Sequence, residues 1–355
     1  ALTIDADAHV IEGIGLASEA LSRWPDKVKL ARTADGTPVF TIEGRVYPES
    51  NGPGAGCPPQ HGLCENADDP HSPAGIVADA DREGIDQTVL FPSLALGVPG
   101  YQDAAFAVGF ARLYNRFISD YCKMGGDRLF AAAVVPLQDV DASIDVLREA
   151  KEAGHVCAVL PPALRWKNLD HPDFDRLYAA AADLDLPLGI HGAPGVHLPP
   201  IGVDRFTNYI QVHCVSFPFD QMTAMTALIS GGVFDRHPGL RVAFLEAGVT
   251  WVPYFLDRLH EHWKKRGDWI ANGWRRDPRD YVAAGNVWVS CEAGETLLPA
   301  VVEALGADFI LYASDYPHWD SAFPDSAKTL RERADLGADA RTKILGTNAK
   351  RLFGL

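Results

Sequence analysis

Leu2–His9, LTIDADAH, begins as an apolar run and ends in a carboxylate and an imidazole two residues apart. On a β-strand, residues i and i+2 leave the same face, so Asp7 and His9 point one way and can chelate one divalent cation together. Asp-x-His alone is a common triplet. It gains meaning because later apolar segments also end in side chains that bind metals: His191, Glu246, Glu292 and Asp315.

Seven such segments follow the first: Gln87–Ser93, Leu129–Pro136, Val156–Pro162, Pro187–Gly192, Arg241–Gly248, Val287–Glu292 and Asp308–Asp315. Most are near-continuous apolar runs, the pattern of parallel strands covered on both faces. Between them the three- and four-residue spacing of apolar side chains predicts helices over Ala104–Cys122, Ala142–Ala153, Asp173–Leu184, Asp220–Phe234, Thr250–Trp263 and Thr296–Leu305. Ile76–Gly84 supplies a short helix after the first strand, and Ser326–Phe353 has room for roughly two more at ordinary helix lengths. Eight strands alternating with helices predict a (β/α)8 TIM barrel, one domain over residues 1–355.

Insertions interrupt the alternation after strands one and five, at about residues 10–75 and 193–219. The first contains a hairpin, Val39–Ile42 with Arg45–Tyr47, turned at Glu43-Gly44, then a Pro/Gly-rich stretch from Pro48 to Pro73. The second carries His197, Tyr209, His213 and Phe217. Both leave the C-terminal strand ends, where barrel active sites lie, and read equally as substrate walls or as oligomer contacts.

A formal net charge of −15 argues against binding nucleic acid, which needs a basic face. No apolar run reaches the roughly 18 residues of a bilayer span, and ALTIDADAHV lacks the basic and apolar regions of a secretory signal. The expectation is a cytoplasmic protein acting on a small molecule, away from membranes. The six cysteines are dispersed and read as free thiols. Cys57 and Cys64 bracket His61, but no second ligand pair stands at zinc-site spacing, so this stretch reads as a loop.

In such a barrel Asp7 and His9 of strand one, His191 of strand five and Asp315 of strand eight converge on the mouth. Two imidazoles and two carboxylates, with a coordination position left for water, suit a catalytic Zn²⁺, or else Mn²⁺ or Fe²⁺. Each residue has a structural alternative: a histidine at a strand end commonly only hydrogen-bonds, and Asp315 before Tyr316-Pro317 suits a turn. Their order on the strands of one barrel favours the metal.

The same residues carry a resemblance. Asp7-Ala8-His9, Gly189-Ile190-His191-Gly192 and Ala313-Ser314-Asp315-Tyr316-Pro317-His318 make the chain similar to the amidohydrolase-related family, which includes the aminocarboxymuconate-semialdehyde decarboxylase-like enzymes. Asp81–Pro92, Gly232–Pro253 and Lys343–Ala349 extend the likeness over nearly the whole chain. The resemblance implies a metal-dependent barrel with ligands at Asp7, His9, His191 and Asp315, and a homo-oligomer. Two features depart from the decarboxylase branch. It opens on His-x-His or Glu-x-His where this chain has Asp-Ala-His, and it carries a catalytic histidine at the end of strand six where this chain has Glu246. Dinuclear relatives bridge their metals with a lysine at strand four; Val159-Leu160-Pro161-Pro162 offers none, which implies one metal ion.

The leading expectation is therefore hydrolysis of a small cyclic or aromatic substrate by metal-activated water. Asp315 is the base, Glu246 a further ligand or proton shuttle, and His213 and His318 acids or oxyanion donors. Trp251, Trp288 and Trp319 offer an apolar wall, the first two equally core. The runner-up is non-oxidative decarboxylation of an aromatic or enoic acid at the same metal. A barrel kept only for binding is the third reading.

Overall fold

The computed structural model describes residues 2–32, 36, 38–58, 61–165, 167–271 and 274–355. Eight parallel strands form one sheet in chain order: β1 (Ile4–Val10), β2 (Gln87–Pro92), β3 (Leu129–Val134), β4 (Cys157–Leu160), β5 (Leu188–Ile190), β6 (Val242–Phe244), β7 (Val287–Cys291) and β8 (Ile310–Tyr312). Every strand expected from sequence is present, most of them shorter. The sheet curls on itself, and β8 returns to β1 through Asp315 N–H on the Asp7 carbonyl (3.0 Å) and His9 N–H on the Tyr316 carbonyl (2.7 Å). This is the (β/α)8 TIM barrel.

A buried carboxylate pins that seam. Asp5 accepts the Ser314 N–H at 3.0 Å and the Ser314 hydroxyl as well. Burial pushes its carboxyl up to about 7, against the pull of those bonds. Asp5 faces outward although strict alternation would align it with Asp7 and His9. The cause is a bulge: Asp5 pairs with Thr88 and Ala8 with Leu90, so β1 holds one residue more than β2 between these rungs. Asp5 and Ala8 consequently border helix Pro73–Glu83, while Asp7 and His9 keep the barrel axis.

The helical layer differs from expectation in several places. The helix expected from Asp220 begins eleven residues earlier and runs Tyr209–Ser230, with Asn208 capping it by accepting the Ile210 N–H at 3.0 Å. Pro218 lies inside it, and His213 and Phe217, expected in the insertion, are helical residues. The hairpin of the first insertion gains a third strand, Val28–Arg32, and a preceding helix, Ile14–Arg23. The tail is more broken than two helices: Ser326–Glu332, Ala338–Thr342, a π-turn at Lys343–Thr347, then Asn348–Phe353.

The two insertions meet over the mouth. Glu49 N–H donates to the Gly195 carbonyl at 2.8 Å and Gly54 N–H to that of Phe206 at 3.0 Å. Gly195 has φ +79, and a Cβ there would lie 2.6 Å from the Glu49 carbonyl, so glycine is required where the segments cross. No helix among the described residues is long and apolar enough to cross a membrane.

Candidate metal centre and active site

At the C-terminal end of the barrel, Asp7, His9 and His191 are buried and their donor atoms lie within 4.8 Å of one another. Each imidazole is oriented by its other nitrogen. His9 Nδ1 donates to the Pro92 carbonyl at 2.9 Å and His191 Nδ1 to that of Gly192 at 2.7 Å, leaving both Nε2 lone pairs turned inward. Asp315 Oδ1 stands 3.1 Å from His9 Nε2, and Glu246 Oε2 stands 2.7 Å from His191 Nε2. Glu246 (φ 53) and Asp315 (φ 54) both hold left-handed backbone just past their short strands. Such strain, about 1–3 kcal/mol per residue, persists where the surroundings fix it and clusters at functional sites.

The polar accounting points to a cation. Asp7 Oδ1 and Oδ2, His9 Nε2, His191 Nε2 and Asp315 Oδ2 are shut off from solvent and make no hydrogen bond of acceptable geometry. An unsatisfied buried polar atom costs about 1–3 kcal/mol. Separations of 3.7 Å (Asp7 Oδ1 to His9 Nε2) and 3.9 Å (Asp7 Oδ2 to His191 Nε2) match donors that share one ion at roughly 2 Å each. Mixed nitrogen and oxygen donors without thiolate fit Mn²⁺, Fe²⁺ or Zn²⁺. Burial pushes the Asp7 carboxyl well up and the His9 imidazole well down from their ordinary values. His191 goes the other way, up to about 9: burial opposes its charge, but Glu246 and Asp7 outweigh it.

Around this group lie two further histidines. His318 is held between Asp315 Oδ1 (2.9 Å from Nδ1) and Ser93 Oγ (3.0 Å from Nε2), and stacks on His9 at 4.1 Å between ring centres. His213 sits on the long helix with its Nε2 3.3 Å from Glu246 Oε1 and 3.6 Å from Asp320 Oδ2. Burial works against a charged His213, yet its bond to Glu246 prevails and the imidazole is raised. Burial first, then Asp315 and Glu246, push the Asp320 carboxyl up to about 7.

Asp7, His9 and His191 thus form one donor group, His9, Glu246, Asp315 and His318 a second that shares His9, and His213 joins Glu246 and Asp320 in a third. Glu292 belongs to none of the clustered donor groups among the described residues. Trp251 and Trp288 are core, their indole N–H groups spent on the Gly248 and Gly285 carbonyls, both at 2.8 Å, whereas Trp319 lines the cavity. That cavity, ≈ 310 Å³, is walled by both insertions and reaches His191, Glu246 and His318.

Two residues escaped the sequence reading. Asp320 follows His318 by two positions, but nothing in the pattern marks it. Gln221, fully buried, donates through Nε2 to the carbonyls of Ile190 (2.9 Å) and Leu245 (2.8 Å), the residues just before His191 and Glu246. It ties together the strand ends that bear them.

A barrel with this mouth is shared by many metal-dependent enzymes, and comparison narrows the class. The chain belongs to the amidohydrolase family, whose profile matches residues 4–355. It is 27% identical over 295 residues to the gamma-resorcylate decarboxylase of Rhizobium sp. (strain MTP-10005), covering 78% of this chain and 85% of that protein. It is 26% identical over 289 residues to the 2-amino-3-carboxymuconate-6-semialdehyde decarboxylase of Dictyostelium discoideum, covering 79% and 76%. The fold is similar to that of a dihydroxybenzoic acid decarboxylase from Polaromonas sp. JS666, crystallised with manganese and the inhibitor 2-nitroresorcinol: TM-score 0.69, 20% identity, 100% of this chain and 97% of that one.

Proposed function

We propose that the protein is a metal-dependent, non-oxidative decarboxylase of a small aromatic or enoic acid. The observation that carries this is the set of inward-facing, unpartnered donors of Asp7, His9, His191 and Asp315 beside an apolar cavity, in a chain whose relatives are decarboxylases. The relatives favour the runner-up of the sequence reading over hydrolysis, its leading one. They also move manganese ahead of zinc, since manganese accompanies the structural neighbour.

When bound among Asp7, His9, His191 and Asp315, a divalent cation supplies positive charge against the substrate carboxylate and an adjacent oxygen, and so lowers the cost of negative charge on the ring. The chain's own residues do the rest. Leu94, Leu96, Phe217 and Trp319 pack the ring and keep water out. The bond between ring carbon and carboxyl carbon breaks, CO₂ leaves, and the electron pair stays on the ring carbon. That carbon then takes a proton from His213 Nε2, whose charged form Glu246 Oε1 stabilises at 3.3 Å. The imidazole implied for the end of strand six is replaced by Glu246, and the long helix brings His213 to that carboxylate instead. His318, fixed by Ser93, orients Asp315.

Glu246 is the one feature that keeps hydrolysis as a second reading, because a carboxylate there can serve as a base toward water. Turnover in D₂O and in H₂¹⁸O separates the two. Decarboxylation releases CO₂ and places deuterium on the vacated carbon; hydrolysis places ¹⁸O in the product, and that result would sink the proposal.

A further inference from the structure

A second cavity, ≈ 540 Å³, opens between the hairpin of the first insertion, the segments that follow β2, β3 and β4, and residues 197–199 of the second insertion. It lies back to back with the cavity at the metal centre. Leu94, Leu96, Pro194 and Val196 line the metal side of the partition. Pro99, Gly100, His197 and Leu198 line the other side. The two segments of this partition touch closely. A Cβ on Gly97 would lie 2.5 Å from the Val196 carbonyl, and one on Gly100 2.9 Å from that of His197, so no side chain fits between them.

The charge of this second cavity opposes that of the chain. The sequence has 47 acidic and 32 basic residues, yet Arg45, Arg165 and Lys167 line the cavity and no aspartate or glutamate does. The acids nearby have other partners. Glu43 accepts the N–H groups of Gln102 and Asp103 at 2.6 and 2.8 Å, Glu49 accepts that of Asn51 at 3.1 Å, and Asp173 pairs with Lys167. Arg45 carries the uncompensated charge. It is half-buried, forms no ion pair among the described residues, and its Nε is shut off from solvent without a hydrogen bond. His197 is fixed by its Nε2–H on the Val46 carbonyl at 2.9 Å and by left-handed backbone (φ 66). Burial holds its imidazole below the ordinary value, so it adds no charge at neutral pH.

We infer that this cavity is an accessory site for a small organic acid, separate from the metal centre. The anionic group of the ligand pairs with the Arg45 guanidinium, Lys167 adds to the attraction, and the apolar body rests on Leu137, Leu164 and Leu198. A guanidinium partly withdrawn from water and left without a carboxylate gains more from an anion than a fully hydrated one, because folding has already removed part of its hydration. The volume is in the range of small-molecule sites.

The test is equilibrium binding of benzenesulfonate and methyl phenyl sulfone to the Mn²⁺-loaded protein. The two are close in shape and differ in charge. The sulfonate is expected to bind at least about tenfold tighter than the sulfone, the worth of one charge-assisted pairing. Arg45→Gln should remove about tenfold of sulfonate affinity and leave the sulfone within about twofold. Lys167→Gln, on a different segment, should cost about threefold, since Lys167 is shared with Asp173. His191→Ala, which disables the metal centre, should leave sulfonate binding within about twofold. Circular dichroism and the urea midpoint check that each variant is folded. Equal binding of sulfonate and sulfone, or no sulfonate binding at about 10 mM, would overturn the inference. So would sulfonate affinity that survives both Arg45→Gln and Lys167→Gln, or that is lost in His191→Ala, which would place the anion at the metal instead.

Discussion

Gln221→Leu should weaken metal binding as well as the fold. The substitution leaves an apolar side chain one atom shorter and removes both Nε2 bonds, 2.9 Å to Ile190 O and 2.8 Å to Leu245 O. Buried bonds of this kind contribute about 1 kcal/mol each, so the loss on this side is roughly 2 kcal/mol. Ile190 O keeps a second donor, the Leu245 N–H at 3.1 Å, which limits the damage. Gln221 Oε1 makes no hydrogen bond, so nothing is lost there. A second effect falls on His191 and Glu246, each one residue beyond a released carbonyl. Loss of a partner that orients ligands commonly costs about 10- to 100-fold in metal affinity. Chelator competition gives the Mn²⁺ dissociation constant, and urea unfolding of the metal-free protein gives stability. A stability loss of about 2 kcal/mol with metal affinity within twofold of the unsubstituted protein would refute the positioning role.

Three further outcomes are expected. His191→Ala should lower bound metal at least tenfold, read by elemental analysis after dialysis, because it removes a buried imidazole donor; undiminished metal contradicts the proposed ligand set. Asp315→Asn should abolish CO₂ release while circular dichroism and the urea midpoint stay near those of the unsubstituted protein, and retained turnover would remove Asp315 from the site. Burial lowers the His155 imidazole to about 4. Its contribution is therefore fully present above the unfolded value of 6.5 and is lost as pH falls from there to about 4, where the unfolded chain takes up a proton that the folded one refuses. The span is worth at most about 3 kcal/mol, and His155→Gln should flatten the acid limb of stability against pH by up to that amount.

Much of the barrel was legible because its strands are covered on both faces and so read as apolar runs, and because Asp7, His9, His191 and Asp315 stand at or just past their ends. Strand length was less legible. Arg241–Gly248 reads as one run, yet the ladder stops at Phe244, and the turn that carries Glu246 has the same composition as the strand before it. Strict alternation would align Asp5 with Asp7 and His9, and only the bulge, a matter of register between β1 and β2, turns it outward. His213 was legible as a residue type but not in its placement. The helix that carries it starts eleven residues before the expected one, and its bond to Glu246 joins residues 33 apart in sequence. Gln221 left no trace in the pattern, since an isolated amide on a helix is ordinary until its two carbonyl partners are seen.

The most direct test is a crystal of Mn²⁺-soaked protein measured at an energy where manganese scatters anomalously. The account predicts an anomalous peak bounded by Asp7, His9, His191 and Asp315, within roughly 2.0–2.4 Å of each donor atom. No peak at that position from fully soaked, correctly folded protein, or a peak only elsewhere on the chain, would contradict it.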